Sequence, residues 1–366
     1  MLGIKGDIVS IELIIGGAGS ALTLYQIIKD SNGFLIGPKK DEFLNYDPSY
    51  LLGLYSSEKP ISPSIPYCEI VSLFPTMPMV KISIRKEQYI NTSENQEWNQ
   101  VSSIGYSKLL ESKRVKDNEE AIRLANCTND SCNLLLTLQK ARYHDQCRSN
   151  LILDYSSKDD LDSISLRNML KLEYGRQLPP LTDTRLANTV GIAALLFYKN
   201  NNEYIPYMVK RVKKVGVFPG GVHCTSSGVA KWPQHQNSTF DECFTEHMYL
   251  ELEEEVGIKK EDIVEFMPIS ICREFGRGGK PQIFYAGITS LTKDELVAKR
   301  KVAAKVIKDT NLWPEIEQTK WHHSEIVLDA KTLSESINKY KVTLEGVAAL
   351  HFGLKYLQQH VKYNAK

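Results

Sequence analysis

The sequence lacks an excess of charge of either sign, a long apolar run and an even set of cysteines. Its 366 residues carry 45 Lys and Arg against 44 Asp and Glu, so the net charge does not favour general binding to nucleic acid or to a membrane surface. No segment reaches the roughly 18 uninterrupted apolar residues that a membrane-spanning helix requires. The seven cysteines are odd in number and scattered, which argues against a disulfide framework and for a reducing compartment.

The first residues also lack the pattern of a secretory signal, because Asp7 and Glu12 interrupt the apolar run. Together with the cysteine usage, this predicts a cytoplasmic protein that does not bind a membrane. The length suits two domains, each with enough apolar content to bury a core. Small molecules or other proteins are the expected partners, and the oligomeric state stays open, with a homodimer as one alternative.

Residues 1–175 are predicted to form an α+β domain of unknown role. Within them, the apolar pattern of residues 117–154 indicates helix. One alternative for this segment is a zinc site, since four Cys and His ligands suffice for a closed tetrahedral site. The other is that the cysteines pack as small hydrophobic side chains. The candidate zinc ligands are Cys127, Cys132, His144 and Cys147.

A stretch with paired prolines, residues 176–185, is predicted to be a linker, because paired prolines stop helices and stiffen a connection. Residues 186–366 would then form the second domain. Its first strand is expected at residues 189–198, followed by a turn and a partner strand at 204–211. Near the end of the chain, Thr343 is predicted to cap a helix.

Four glutamates occupy five positions within residues 251–255, and Gly257 follows as the expected helix terminator. In a helix, residues at i, i+3 and i+4 lie on one face; here they are Glu251, Glu254 and Glu255. Apolar residues spaced by four would dock the helix on a core; they are Met248, Leu252 and Val256. A hard divalent cation prefers oxygen ligands, so the cluster predicts a Mg2+ site, with Mn2+ also suitable. A solvated acidic face is the alternative.

From Glu242 onward this segment resembles the Nudix box, G-x5-E-x7-R-E-U-x-E-E-x-G-U, where U is aliphatic. Glu242, seven further residues and then LELEEEVGI match every fixed position but one, because Leu250 stands where the family has arginine. The opening glycine of the box is best matched by Gly221 in FPGG, although twenty residues rather than five separate it from Glu242. The resemblance covers residues 186–366.

The resemblance implies an α/β fold in which a C-terminal α/β/α sandwich with a mixed sheet follows the α+β N-terminal domain. It implies that Glu251, Glu254 and Glu255 bind the metal and act in catalysis, and that Glu242 supports the metal site. A capping box with Thr239 is the alternative role for Glu242. The implied activity is metal-dependent hydrolysis of a nucleoside diphosphate linked to another group, such as a sugar or ADP-ribose, by water attack on phosphorus.

The missing arginine leaves a second function open. In the family this side chain holds a box glutamate in place, so Leu250 removes a partner that normally sharpens the ligand geometry. A non-hydrolysing nucleotide sensor is therefore the alternative to an enzyme.

Cys224, beside His223, raises a further alternative, because isopentenyl-diphosphate isomerases share the Nudix fold and use a cysteine near this region. A packed Cys224 is the simpler interpretation.

Residues outside the box are candidates for substrate contact. A glycine-rich loop at residues 273–281, between two predicted strands, is suited either to approach an anion closely or to form a flexible hairpin tip. Arg273 and Glu274 lie at its strand end and are the favoured contacts. Gly221 in FPGG and Arg211 on the strand that leads to it are further candidates, with Arg211 either contacting the metal-bound phosphate or being solvated.

Overall fold

The computed structural model describes residues 41–91, 93–115, 118–130, 133–156, 164–201, 203–211, 221–233, 235, 238–309 and 342–364, and all structural statements concern these residues. Their helices are α1 (Pro48–Leu54), α2 (Gln96–Glu111), α3 (Tyr143–Cys147), α4 (Leu166–Tyr174), α5 (Glu246–Val256), α6 (Lys293–Asp309) and α7 (Leu344–Asn364). A π-helical turn (Asp241–Thr245) leads into α5, and a 3-10 turn (Lys260–Asp262) follows it.

The described strands are β1 (Pro60–Ser62), β2 (Ile65–Ser72), β3 (Met79–Ile84), β4 (Glu120–Asn129), β5 (Asn133–Arg142), β6 (Gly191–Asn200), β7 (Glu203–Tyr207), β8 (Val209–Lys210), β9 (Val222–His223), β10 (Ser226–Val229), β11 (Ile263–Glu274) and β12 (Lys280–Thr289). Seven of them form one sheet in the order β1-β2-β11-β12-β6-β10, with β7 also paired to β6. The β12–β6 pair is parallel and its neighbours are antiparallel, so the sheet is mixed. The predicted α/β fold class is confirmed.

Strand β6 shows how the sequence builds a core on each face of this sheet. Ile192, Ala194 and Leu196 pack with helix α5 on one face, called here the α5 face. Ala193 and Leu195 pack with helix α7 on the other, the α7 face. Because both faces of the strand are covered, its sequence is a continuous apolar run rather than an alternation of apolar and polar residues.

The helix predicted within residues 117–154 is wrong for most of its length. Strands β4 and β5 form an antiparallel hairpin there, β3 lies parallel to β5, and α3 is the short helix that follows. Leu134, Leu136 and Leu138 are buried whereas Leu135 is exposed, which is the two-residue period of a strand. Leucine favours helices, and the unbroken leucine run concealed that period.

The N-terminal half shares the sheet and both cores of the C-terminal half. Strand β2 pairs with β11, and each core contains residues from both sides of the predicted linker at 176–185. The fully buried Arg123 of β4 donates hydrogen bonds to the carbonyl oxygens of Leu181 (2.9 Å) and Asp183 (3.0 Å). The proline-rich segment is therefore fixed against β4, and it marks a change in composition rather than a gap in the packing.

Two further sequence predictions concern elements near the site. The strand predicted at 189–198 is confirmed as β6, and the predicted cap at Thr343 is confirmed because the Gly346 N–H donates to Thr343 Oγ1 at 2.8 Å.

Among the described residues, no helix has both the length and the apolar composition that crossing a membrane requires.

Candidate functional site

Helix α5 and the turn before it are fixed at both ends by local sequence features. The Thr239 N–H donates to Glu242 Oε2 at 2.7 Å, and the Glu242 N–H donates back to Thr239 Oγ1 at 3.3 Å. The first of these hydrogen bonds lowers the pKa of the exposed Glu242 carboxyl. At the other end, Gly257 adopts a left-handed conformation with φ of 73°, and its N–H donates to Glu253 O. Glu242 is thus a capping residue, and its role at a metal stays a prediction.

The buried face of α5 fixes the orientation of the helix and of its carboxylates. Met248, Leu252 and Val256 are fully buried in the core that the helix shares with β6. Burial of each such side chain contributes about 1.5–3 kcal/mol. Rotation of the helix would expose all three, so the glutamates beside them are held in one orientation.

Strand β10 contacts the glutamates directly. Ser226 Oγ donates to Glu255 Oε2 at 2.5 Å, and the Ser227 N–H donates to the same oxygen at 3.1 Å. At Gly228, an added Cβ would lie 2.4 Å from the carboxyl carbon of Glu251, so a larger residue would displace that side chain. Glycine at 228 therefore lets the strand lie close against the helix.

The contact continues beyond the end of β10. The Lys231 N–H donates to His247 Nδ1 at 3.1 Å. His247, Glu251 and Glu255 are spaced by four residues, about one helical turn each, so a single stripe of α5 faces the strand. Burial and the charge of Lys231 lower the pKa of His247, which keeps its imidazole neutral at physiological pH.

The three predicted carboxylates differ in exposure. Glu251 and Glu255 are half-buried against β10, whereas Glu254 is exposed on the open side of the helix. In the described part of the chain they do not form a group with ligand atoms within 4.8 Å of one another. Their oxygen donors nevertheless suit Mg2+ or Mn2+, which keep several waters and reach carboxylates on successive turns through them. Glu251 and Glu255 are the residues that would hold the cation.

A lysine supplies positive charge beside this stripe. Lys231 Nζ lies 3.1 Å from Glu119 Oε2, and both side chains are about half exposed. Burial lowers the pKa of Lys231, but the hydrogen bond and charge of Glu119 and the charges of Glu251 and Glu254 raise it overall. The sequence did not indicate Lys231, because it lies in residues 229–240, an insertion relative to the five-residue spacing at the start of the box.

Two other predicted substrate contacts, Arg211 and Gly221, lie at the end of the β8–β9 pair. The Arg211 N–H donates to Gly221 O at 2.9 Å, and Arg211 Nη1 lies 3.4 Å from Ser227 Oγ. Gly221 is therefore part of the β8–β9 pair, and the glycine that touches the glutamates is Gly228. The signal available in the sequence was the run of small residues, Ser-Ser-Gly, just before the insertion.

The glycine-rich loop at 273–281, interpreted from the sequence as an anion contact or a flexible hairpin tip, is largely buried. Arg273 Nε donates to Gly279 O at 3.0 Å, and its guanidinium also donates to Pro179 O. Glu274 is fully buried and forms an ion pair with Arg277. These contacts give Arg273 and Glu274 structural partners, and their role toward a substrate stays a prediction.

Comparisons with known proteins add little at the level of sequence. No protein-family model matches the chain. No curated protein matches it either.

Several solved structures are distantly similar. A MutT/Nudix family protein from Listeria innocua is 14% identical, with a TM-score of 0.30 over 48% of this chain and 97% of that one. A protein from Deinococcus radiodurans is 13% identical, with a TM-score of 0.22 over 42% of this chain and 82% of that one. NrtR from Shewanella oneidensis is 12% identical, with a TM-score of 0.19 over 48% of this chain and 85% of that one. These values assign no function to the chain.

The zinc ligands suggested by the sequence do not come together among the described residues. Cys127 packs against the core on the α5 face, and Cys147 is buried in the core on the α7 face. His144 Nδ1 is hydrogen-bonded to the Tyr106 hydroxyl at 2.8 Å. Cys132 lies outside the described residues.

One group of three potential metal ligands does lie within 4.8 Å in the described part of the chain: His223, Cys224 and Glu345. Positive charge surrounds it, because Arg277 Nη2 lies 3.0 Å from Glu345 Oε2 and, after burial, Arg211 and Arg277 lower the pKa of His223. A cation would have to compete with Arg277 for Glu345. The arrangement is that of a buried hydrogen-bonded network rather than a cation site.

Cys224 belongs to this network as a packed side chain. It is fully buried, its thiol donates to Ser226 O at 3.3 Å, and burial raises its pKa well above the ordinary value. An activated thiol needs the opposite shift. The geometry therefore does not support the isomerase interpretation.

Lys280 is a second unusual member of the network, and it makes a testable prediction about stability. Its side chain is 1% exposed, Nζ lies 3.3 Å from Gln282 Oε1, and burial lowers the pKa from 10.5 to about 7. Between about pH 7 and pH 10.5, this lysine is protonated more fully in the unfolded chain than in the folded one. The free energy of unfolding should therefore rise with pH across this range. Lys280→Met should be stabilising near pH 7, by up to about 4 kcal/mol, and the gain should vanish toward pH 10.

Urea unfolding of both proteins from pH 7 to pH 10 measures this difference. Lys259→Met, which changes a half-exposed lysine paired with Glu253, is the control and should give a nearly constant difference. A Lys280→Met difference that is equally constant across the range would contradict the assigned burial of the ammonium.

Proposed function

We propose that this chain hydrolyses the diphosphate linkage of a nucleoside diphosphate joined to another group, with Mg2+ or Mn2+ held at α5. The observation that supports the proposal most is the placement of Glu251 and Glu255, which lie half-buried against β10 on a helix that carries the Nudix-box pattern. A solvated acidic face would not require its glutamates to pack so closely against a strand.

The hydrogen bonds from β10 would orient Glu255 in place of the missing arginine, which holds a box glutamate in the family. Leu250 is 52% exposed and points away from the core, so it cannot orient a carboxylate. Ser226 and the backbone of Ser227 instead fix one oxygen of Glu255. Two donors on one oxygen fix the orientation of this carboxylate, which is how an outer partner sharpens ligand geometry.

The chemistry follows from the charges on the helix. A divalent cation held there would neutralise charge on the phosphate oxygens and make a nearby water more acidic. Glu254, which is exposed on the open side of the helix, would accept the proton as the water oxygen forms a bond to phosphorus. The bridging P–O bond breaks and the second phosphate leaves with its electron pair. The bound substrate is a small nucleotide, and the reaction needs neither nucleic acid nor a membrane.

The test is phosphate-product release from nucleotide-sugars, ADP-ribose, NAD, dinucleoside polyphosphates and nucleoside triphosphates, each with Mg2+, with Mn2+ and with chelator. Cleavage of one class that depends on the cation is the expected result. Cleavage that persists unchanged in chelator would exclude the proposed metal chemistry.

A non-hydrolysing nucleotide sensor is the second candidate, and one observation favours it. Lys231, beside the glutamates, is paired in a β-bridge with Ala121 of the N-terminal strand β4. A change at α5 could therefore reach the N-terminal half through a continuous backbone contact, provided the nucleotide prefers one arrangement. Silence across the whole panel, with a nucleotide that raises the Tm, is the result expected of a sensor.

A further inference from the structure

We infer that Lys231 binds the phosphate of the substrate, and that Glu119 of the N-terminal half holds Lys231 in place and competes with that phosphate. This inference rests on the proposed function, because it names the residue that selects a diphosphate at the same site. It also gives the N-terminal half a part in the chemistry.

The backbone of Lys231 is fixed on two sides. On one side its N–H donates to His247 Nδ1, one turn before Glu251 on α5. On the other, the neighbours of Lys231 pair with β4: the Ile122 N–H donates to Ala230 O at 2.9 Å, and the Trp232 N–H donates to Glu120 O at 3.3 Å. The backbone of Lys231 is therefore fixed relative to the glutamates, while its side chain is about half exposed.

The charges around the ammonium favour an exchange of partners. Glu119 forms the ion pair, and Glu251 and Glu254 add negative charge within electrostatic reach. A cation bound by the α5 carboxylates would reduce their attraction for Lys231, and a phosphate would then offer it a strong new acceptor. A lysine ammonium on a flexible stem suits this task, since it acts as a mobile point charge.

The two lysines that follow α5 do not have this position. Lys260 pairs with Glu246 at 2.9 Å and lies over the ring of Tyr249. Lys259 lies 3.8 Å from Glu253. Both partners are on parts of the helix surface other than the stripe that faces β10. Lys260→Met is thus a matched control: an exposed lysine, paired with one glutamate, but away from the stripe.

The experiment compares wild type, Lys231→Met, Glu119→Gln and Lys260→Met on the substrate that the panel identifies. Loss of a hydrogen bond between charged groups predicts a KM raised about tenfold to a hundredfold in Lys231→Met, with a smaller change in kcat. Glu119→Gln should lower KM several-fold, because the competitor for the ammonium is gone. Lys260→Met should match wild type.

The same four proteins are titrated with ADP and with ADP-ribose by calorimetry in Mg2+, which separates this inference from the proposed function. If wild type binds these compounds without hydrolysing them, the hydrolase proposal fails, while weaker binding by Lys231→Met and tighter binding by Glu119→Gln would still support the inference. Equal KM and Kd values for wild type and Lys231→Met would overturn it. So would a Glu119→Gln that binds more weakly, or a wild type that binds neither compound and cleaves no substrate.

Discussion

Glu255→Gln is expected to lower kcat by at least about a hundredfold while the protein stays folded. Glutamine keeps the length of the side chain, and its carbonyl oxygen can still accept from Ser226 Oγ and the Ser227 N–H. It loses the negative charge that a divalent cation needs. The measurement is kcat on the identified substrate across a range of Mg2+ concentrations, with the Tm as a check of folding. Glu254→Gln should lower kcat by a similar factor, because it removes the proposed proton acceptor.

The matched control is Glu253→Gln, which changes an exposed glutamate of the same helix paired with Lys259. It should retain nearly the full rate, since its side chain lies off the stripe that faces β10. Normal turnover in both Glu254→Gln and Glu255→Gln would sink the assignment of the metal and catalytic roles to α5. A loss equal in all three variants would show a general effect of helix charge instead.

Arg167→Ala is expected to lower the free energy of unfolding by about 3–5 kcal/mol. Its guanidinium is 1% exposed and pairs with both oxygens of Asp154, at 2.6 and 2.7 Å. It also donates to Gly276 O at 2.6 Å and to Phe275 O at 3.2 Å. Removal would leave a buried carboxylate and two buried carbonyls without their partner, against a total stability of about 5–15 kcal/mol for a typical protein.

Urea unfolding measures this effect, with two comparisons. Arg167→Lys keeps the charge but not the planar fork, so its loss should be intermediate. Lys108→Ala, which breaks an exposed pair with Glu111, should change stability little. If Arg167→Ala were as stable as Lys108→Ala, the anchoring of the 273–281 loop by Arg167 would be refuted.

The parts of this molecule that the sequence predicted correctly depend on neighbours in the chain. The Thr239–Glu242 cap, the Gly257 terminator and the apolar spacing of α5 are all set within about 20 residues, and the strand at β6 is a plain apolar run. Such features follow from local propensity and period. The order of strands in the sheet did not follow in this way.

The parts that were missed depend on distant partners. The 273–281 loop has the composition of an exposed turn, and nothing near it indicates that Pro179 and Arg167 bury it. In the same way, Gly228 and Ser226 became visible as site residues only when β10 was seen beside α5, because the insertion after them removes the expected spacing to Glu242. Leu135 and its neighbours were misassigned because one residue type can serve a helix or a strand.

The pairing of β2 with β11 has a consequence for how this protein is made. Residues 65–72 leave the ribosome long before residues 263–274, and the register between them joins Ser72 to Ser270 and Tyr67 to Glu274. At about 5–20 residues per second, β2 waits on the order of ten seconds or more for its partner strand. During that time the edge of β2 that later pairs with β11 is open to other strands, so incorrect strand pairing is a hazard of synthesis until residues 263–274 emerge.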